Sequence, residues 1–151
     1  MDIRPAAFMT VVRSDAMRPA LEEGDVLLAS RVRGVKRLRR GEILVFRVPD
    51  DPKPRVRRMI ALAGDHVRFA EDGVVVLNGE PLFEPYARRS RAFRGSFTVP
   101  ADRVFVLGDR RDDAHDPRRW RESFVPAGEI LGVARTRLFP WPITATRVLA
   151  R

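Results

Sequence analysis

Turn-forming residues interrupt this chain so often that few segments have room for a helix of ordinary length. Between the interruptions lie short apolar, β-branched runs: Phe8–Val12, Val26–Ala29, Glu42–Val48, Arg55–Leu62, Val104–Leu107 and Ile130–Ala134. Gly, Pro, Asp or Asn bounds most of them, which is the pattern of short strands. Val67–Phe69 and Val74–Leu77 flank Glu71-Asp72-Gly73 and read as a β-hairpin, and Asn78-Gly79 turns the chain again. The expected fold class is mainly β. One brief helix is expected, Met17–Glu22, with Asp15 as its N-cap and Pro19 early in the turn.

The 151 residues read as a single domain, 1–151. A chain of that size buries roughly 68–70% of the surface its unfolded form exposes, enough for a core without covalent staples. Residues 68–97, which end in a basic stretch around Arg88, Arg89 and Arg91, read as an insertion between two core strands. Arg31–Arg40 is a strongly basic connection, and Asp50–Pro54 reads as a proline-rich turn.

Lys plus Arg total 29 against 20 for Asp plus Glu, a net charge of +9. Such a surface favours anionic partners such as acidic lipid headgroups, nucleic acid or acidic proteins. The alternative is an arginine-rich surface that is simply well solvated. The absence of cysteine excludes disulfides, zinc–thiolate sites and thiol catalysis. No apolar run approaches the ~20 residues that cross a bilayer. Met1–Ala7 carries charge and a proline and lacks the pattern of a secretory signal. The expectation is either a natively soluble chain or one whose membrane anchor was removed upstream.

Three segments carry the chemistry. The first is Ser14-Asp15-Ala16-Met17-Arg18-Pro19-Ala20-Leu21, followed by Gly24-Asp25. The second is Val56-Arg57-Arg58-Met59-Ile60-Ala61-Leu62-Ala63-Gly64-Asp65. The third is Gly108-Asp109-Arg110-Arg111-Asp112-Asp113-Ala114-His115-Asp116-Pro117-Arg118-Arg119-Trp120. Together they resemble the boxes of type I signal peptidases, the S26 serine peptidases. Their patterns are Ser-Met-x-Pro-Thr-Leu with Gly-Asp beyond, Val-Lys-Arg-Val-Ile-Gly-Leu-Pro-Gly-Asp, and Gly-Asp-Asn-Arg-Asp-Asn-Ser-x-Asp-Ser-Arg-x-Trp. Arg40–Phe46, Asn78–Leu82, Phe124–Pro126 and Glu129–Gly132 extend the resemblance. It implies a signal-peptidase-I-like β fold, related to that of self-cleaving repressors, with a short β-hairpin insertion. The repressors share the Ser-Met-x-Pro turn, but the third box favours the peptidase side.

The resemblance also assigns roles. The nucleophile position is Ala16, the general-base position is Arg57, and the position that orients the base is Ala114. A methyl group cannot attack a carbonyl carbon. A guanidinium (pKa above ~12) has no lone pair to offer as a base. Three reactive positions depart together, so the expectation is a naturally inactive relative that retains at most peptide binding. Ser14 is an oxyanion-pocket candidate by resemblance and otherwise a turn-capping serine. As a replacement nucleophile it is displaced by two residues, several ångströms. His115 reads as a loop residue rather than a base, and His66 as a solvated turn residue.

Asp109, Arg111 and Asp112 are expected to fix the loop of the third box. Asp116 and Arg118 are expected to tie it to the core by a salt bridge, unless Arg118 is a surface charge. In the family the substrate adds as a strand, and the corresponding edges are Val11, Val12 and Arg13 on one side and Arg55 and Val56 on the other. The partner so implied is a peptide or signal-peptide segment of a preprotein, met at the extracytoplasmic face of the cell membrane. Phe139–Ile143, with Phe8 and Met9, reads as an apolar patch for an anionic lipid surface or as an ordinary core edge. No cofactor and no metal are expected. Two rivals remain: an active serine endopeptidase with an unconventional dyad, and a basic module that binds nucleic acid or an anionic membrane. Nucleic acid is the weaker partner, since no aromatic RNA-binding box or helix-turn-helix pattern is present.

Overall fold

The apolar runs form strands because each has one or both faces to bury. The computed structural model describes residues 5–91, 93–111, 121, 123–139 and 143–144. In chain order the strands are β1 (Ala7–Val11), β2 (Val26–Arg31), β3 (Ile43–Val48), β4 (Asp51–Ala61), β5 (His66–Phe69) and β6 (Val75–Leu77). They continue with β7 (Glu80–Pro81), β8 (Ser96–Thr98), β9 (Arg103–Leu107), β10 (Phe124–Pro126), β11 (Ile130–Phe139) and β12 (Ile143–Thr144). The larger sheet runs β1-β2-β11-β3-β4-β9-β10, with β12 added to β11; a four-stranded sheet runs β7-β6-β5-β8. Every strand pairing in both sheets is antiparallel.

The run Ile43–Phe46 shows no polar alternation because the larger sheet is covered on both faces there. Ile43 and Val45 pack with Val12, Met17, Leu21 and Val56 on one side. Leu44 and Phe46 pack with Met59, Val104, Val106 and Val133 on the other. A third cluster joins the two sheets through Phe69, Phe93 and Phe105. Phe69 stacks on Phe93 at 5.1 Å, and Phe97 meets Phe105 edge-on at 4.8 Å. The expected hairpin is β5–β6. The turn after it uses positive φ at both Asn78 (50°) and Gly79 (87°), as a two-residue hairpin turn requires. Residues 68–97 fall within the smaller sheet and its connections.

Two expectations are corrected. Met17–Glu22 is a turn, not a helix. The Leu21 N–H donates to the Met17 carbonyl at 2.9 Å and the Arg18 N–H to the Asp15 carbonyl at 3.1 Å, and no helix follows. Pro19 disfavours helical geometry at Arg18, and six residues are too few to recover the cost of nucleation. The Asp15 carboxylate bonds Arg110 instead of capping. The second correction concerns Asp50–Pro54. Strand β4 already begins at Asp51 and contains Pro52 and Pro54. Prolines are tolerated on a strand edge that needs no donor. Among the described residues β9 pairs with β4 only from Arg58 onward, which leaves the 51–57 half bonded to β3 alone.

Candidate active site

The site forms where that open half of β4 faces the end of β1. Beyond β1 the Val12 N–H donates to the Asp25 carbonyl, and its own carbonyl accepts from the Gly24 N–H, both at 2.8 Å. Strand alternation then turns the main-chain groups of Val11 and Arg13 away from β2. The loop between is closed by buried Asp25, whose carboxylate accepts the Glu22 N–H at 2.9 Å. Ala16 sits in this loop, half-buried. Its N–H is directed at the Ser14 hydroxyl oxygen at 3.4 Å, and its carbonyl accepts the Arg110 N–H at 2.9 Å. Gly108 permits this approach: a Cβ there would stand 2.6 Å from the Ala16 carbonyl oxygen. The first and third boxes are therefore in direct main-chain contact.

Arg57 lies on β4 opposite Leu44, half-buried, and its Nη1 donates to the Val56 carbonyl at 2.7 Å. Its neighbour Arg58 points to the opposite face and is fully buried. There it makes a two-point bond to Asp109, at 2.7 and 2.6 Å, and donates to the Gly41 carbonyl at 2.9 Å. The Tyr86 ring covers this guanidinium at 3.6 Å. Burial pushes the Asp109 carboxyl above its ordinary value, against the downward pull of Arg58. A second two-point pair, Arg111 with Glu84 at 2.8 and 2.7 Å, lies alongside, and the Tyr86 hydroxyl donates to Glu84 at 3.0 Å. Burial opposes the charge on Arg111, but Glu84 outweighs it and raises the guanidinium further. Tyr86 is pushed up, first by burial and then by the Glu84 charge.

An open groove of about 940 Å³ runs between the two edges. It brings together Val11, Val12, Arg13, Ser14, Ala16, Arg55, Val56 and Arg57 from the sequence-based expectations, with Arg111 also at its wall. Asp109 is fully buried and does not line the groove. Ala114, Asp112, Asp116, Arg118 and His115 lie outside the described residues, as do Pro140, Trp141 and Pro142 of the apolar patch. His66 is exposed on β5, with a ring nitrogen 3.4 Å from the Thr98 hydroxyl, away from the groove. Sequence reasoning missed Glu84 and Tyr86 as partners of the third box. They have no local signal, because the contact spans 27 residues of chain. Arg58 stood inside the second box but was not singled out.

Chemically, the methyl group of Ala16 and the guanidinium of Arg57 supply neither nucleophile nor base. The Ser14 hydroxyl oxygen has the Ala16 N–H beside it at 3.4 Å. Among the described residues no group of His, Asp and Glu gathers closely enough to hold a metal. What the groove does offer is two strand edges, two serines (Ser14 and Ser123) and several cations.

Comparisons with known proteins identify the family. A family model described as signal peptidase, peptidase S26, matches residues 3–141. A probable signal peptidase I-2 of Synechocystis is 37% identical over 141 residues, covering 87% of this chain and 62% of that protein. The signal peptidase I of Leptolyngbya laminosa is 33% identical over 139 residues, covering 85% of this chain and 67% of the relative. The crystal structure of a signal peptidase I from Enterococcus faecalis superimposes with a TM-score of 0.53 at 27% identity, over 65% of this chain and 97% of that one. The chain thus spans less than two thirds of the Synechocystis relative's length.

Proposed function

The chain belongs to the signal peptidase, peptidase S26, family, and from that premise we propose that it binds signal-peptide-like segments of preproteins without cutting them. The observation that carries this reading is the pair at the groove. Ala16 and Arg57 line one cavity with two strand edges, which supports a groove for an extended peptide in which these two side chains are neither nucleophile nor base. Main-chain pairing supplies affinity in such a groove, and small side pockets supply choice. Neither needs a nucleophile. The loss at Ala114, the position that would orient a lysine, accords with the other two.

Restoration tests the reading. Ala16→Ser together with Arg57→Lys is expected to give measurable cleavage of a preprotein, with Ala114→Ser raising it. Full activity from Ala16→Ser alone would overturn the assignment of Arg57 to the base position. Turnover by the unaltered chain that disappears in Ser14→Ala would favour the rival reading, an endopeptidase with an unconventional dyad.

We further infer that the protein works at the extracytoplasmic face of the membrane. Met9 on the edge strand is 69% exposed and Phe83 is 88% exposed, which leaves apolar side chains free to enter a lipid interface. Among the described residues no helix is long and apolar enough to cross a membrane. The expected outcome is sedimentation with vesicles containing anionic lipid, and failure to sediment counts against this placement.

A further inference from the structure

The groove is more basic than strand addition requires. Six of its lining residues are Lys or Arg and three are Asp or Glu. Two of those carboxylates already face guanidinium groups: Asp15 bonds Arg110, and Asp51 stands 3.8 Å from Arg55. The two-residue period of a strand puts Arg55 and Arg57 on one face of β4, opposite Phe46 and Leu44. Both reach the cavity that Ala16 borders.

Consider an extended peptide lying along these edges with a carbonyl at Ala16. An internal peptide carbonyl is neutral and has one oxygen. A C-terminal carboxylate has a second oxygen and a full negative charge. The methyl of Ala16, in place of a hydroxymethyl, leaves room for one more oxygen at that point. The Ser14 hydroxyl lies 3.4 Å from the Ala16 nitrogen, and its proton can rotate toward an acceptor. Arg57 is a planar fork of N–H donors, of which Nη1 donates to the Val56 carbonyl at 2.7 Å; such a fork matches the two oxygens of a carboxylate and keeps its charge at any physiological pH. A lysine that must be neutral to act as a base would repel no one and hold little; a permanent cation does the opposite work.

We propose that this groove selects peptides that end in it, with the free C-terminal carboxylate held by Arg57 beside Ala16 and Ser14. The ligand class is an extended peptide with a free C-terminal carboxylate. The proposal rests on the reading that the groove takes extended peptides, and it makes or breaks no bond.

Fluorescence anisotropy on the intact chain tests it with three labelled probes: a peptide ending in Ala-Leu-Ala as the free acid, the same peptide as a C-terminal amide, and one that continues beyond the last Ala. The acid is expected to bind about tenfold tighter than the amide, as a charge-assisted bidentate pair would give. Arg57→Gln is expected to bring acid and amide to within about twofold, and Arg57→Lys to keep part of the preference. A thermal melt of each variant confirms that it is folded. Equal binding of acid and amide, or tighter binding of the continuing peptide, overturns the carboxylate site and leaves peptide binding intact. A preference that survives in Arg57→Gln removes Arg57 from the role. If none of the three probes binds, the groove reading falls together with this one.

Discussion

Arg57 and Arg58 are sequence neighbours on one strand, and the fold treats them in opposite ways. Arg58 has no exposed surface and is locked to an equally buried Asp109, 51 residues away. Arg57 looks into an open groove and is half-buried. The buried face carries the frame: Arg58 with Asp109, Arg111 with Glu84, and Tyr86 against both. The groove face carries Arg57, which shares its cavity with Ala16 and Ser14. Because a strand sends alternate side chains to opposite sides, the reactive positions can change without touching the pairs that hold the third box in place. Substitutions at groove-facing positions such as Arg57 are thereby compatible with the buried pairs beneath them.

The comparison makes a large difference in stability measurable. Asp109→Ala leaves the Arg58 charge buried without its carboxylate and is expected to cost about 3–5 kcal/mol in denaturant unfolding. Arg57→Gln, at the groove, is expected to cost less than about 1 kcal/mol in the same measurement. Equal losses would mean that the two faces are not separable in the way described.

A smaller effect comes from the turn that ends β4. Asp65 accepts two hydrogen bonds from Arg40, at 2.7 and 2.8 Å, and others from Asn78 and the Leu62 N–H. Arg40 above all holds its carboxyl well below the ordinary 3.8, at about 2. The folded state therefore favours the ionised form. The contribution is present above the unfolded value and is lost as pH falls from about 4 through about 2. Arg40 is 46% exposed, so solvent screening reduces the effect to about 1 kcal/mol. Unfolding curves across that range should show the loss in the unaltered protein and a flatter dependence in Asp65→Asn.

Much of this was legible in the sequence because the informative features are local. Turn residues bounded the strands, and Ala16 and Arg57 stood out once the surrounding boxes were recognised. Three things were not legible. The Met17–Glu22 segment had a capping residue and helical composition, but Asp15 was drawn to Arg110 and Pro19 broke the path. The prolines at 52 and 54 signalled a turn, whereas an edge without a strand partner accepted them. Glu84 and Tyr86 reach the third box only through tertiary contact, which no short-range pattern reports.

The most direct test of the central claim is the intact mass of the unaltered protein after incubation with a covalent serine-directed inhibitor. The account predicts an unchanged mass, since Ala16 has no nucleophilic atom and Ser14 stands two residues from that position. A mass increase of one inhibitor equivalent, lost in Ser14→Ala, would contradict it.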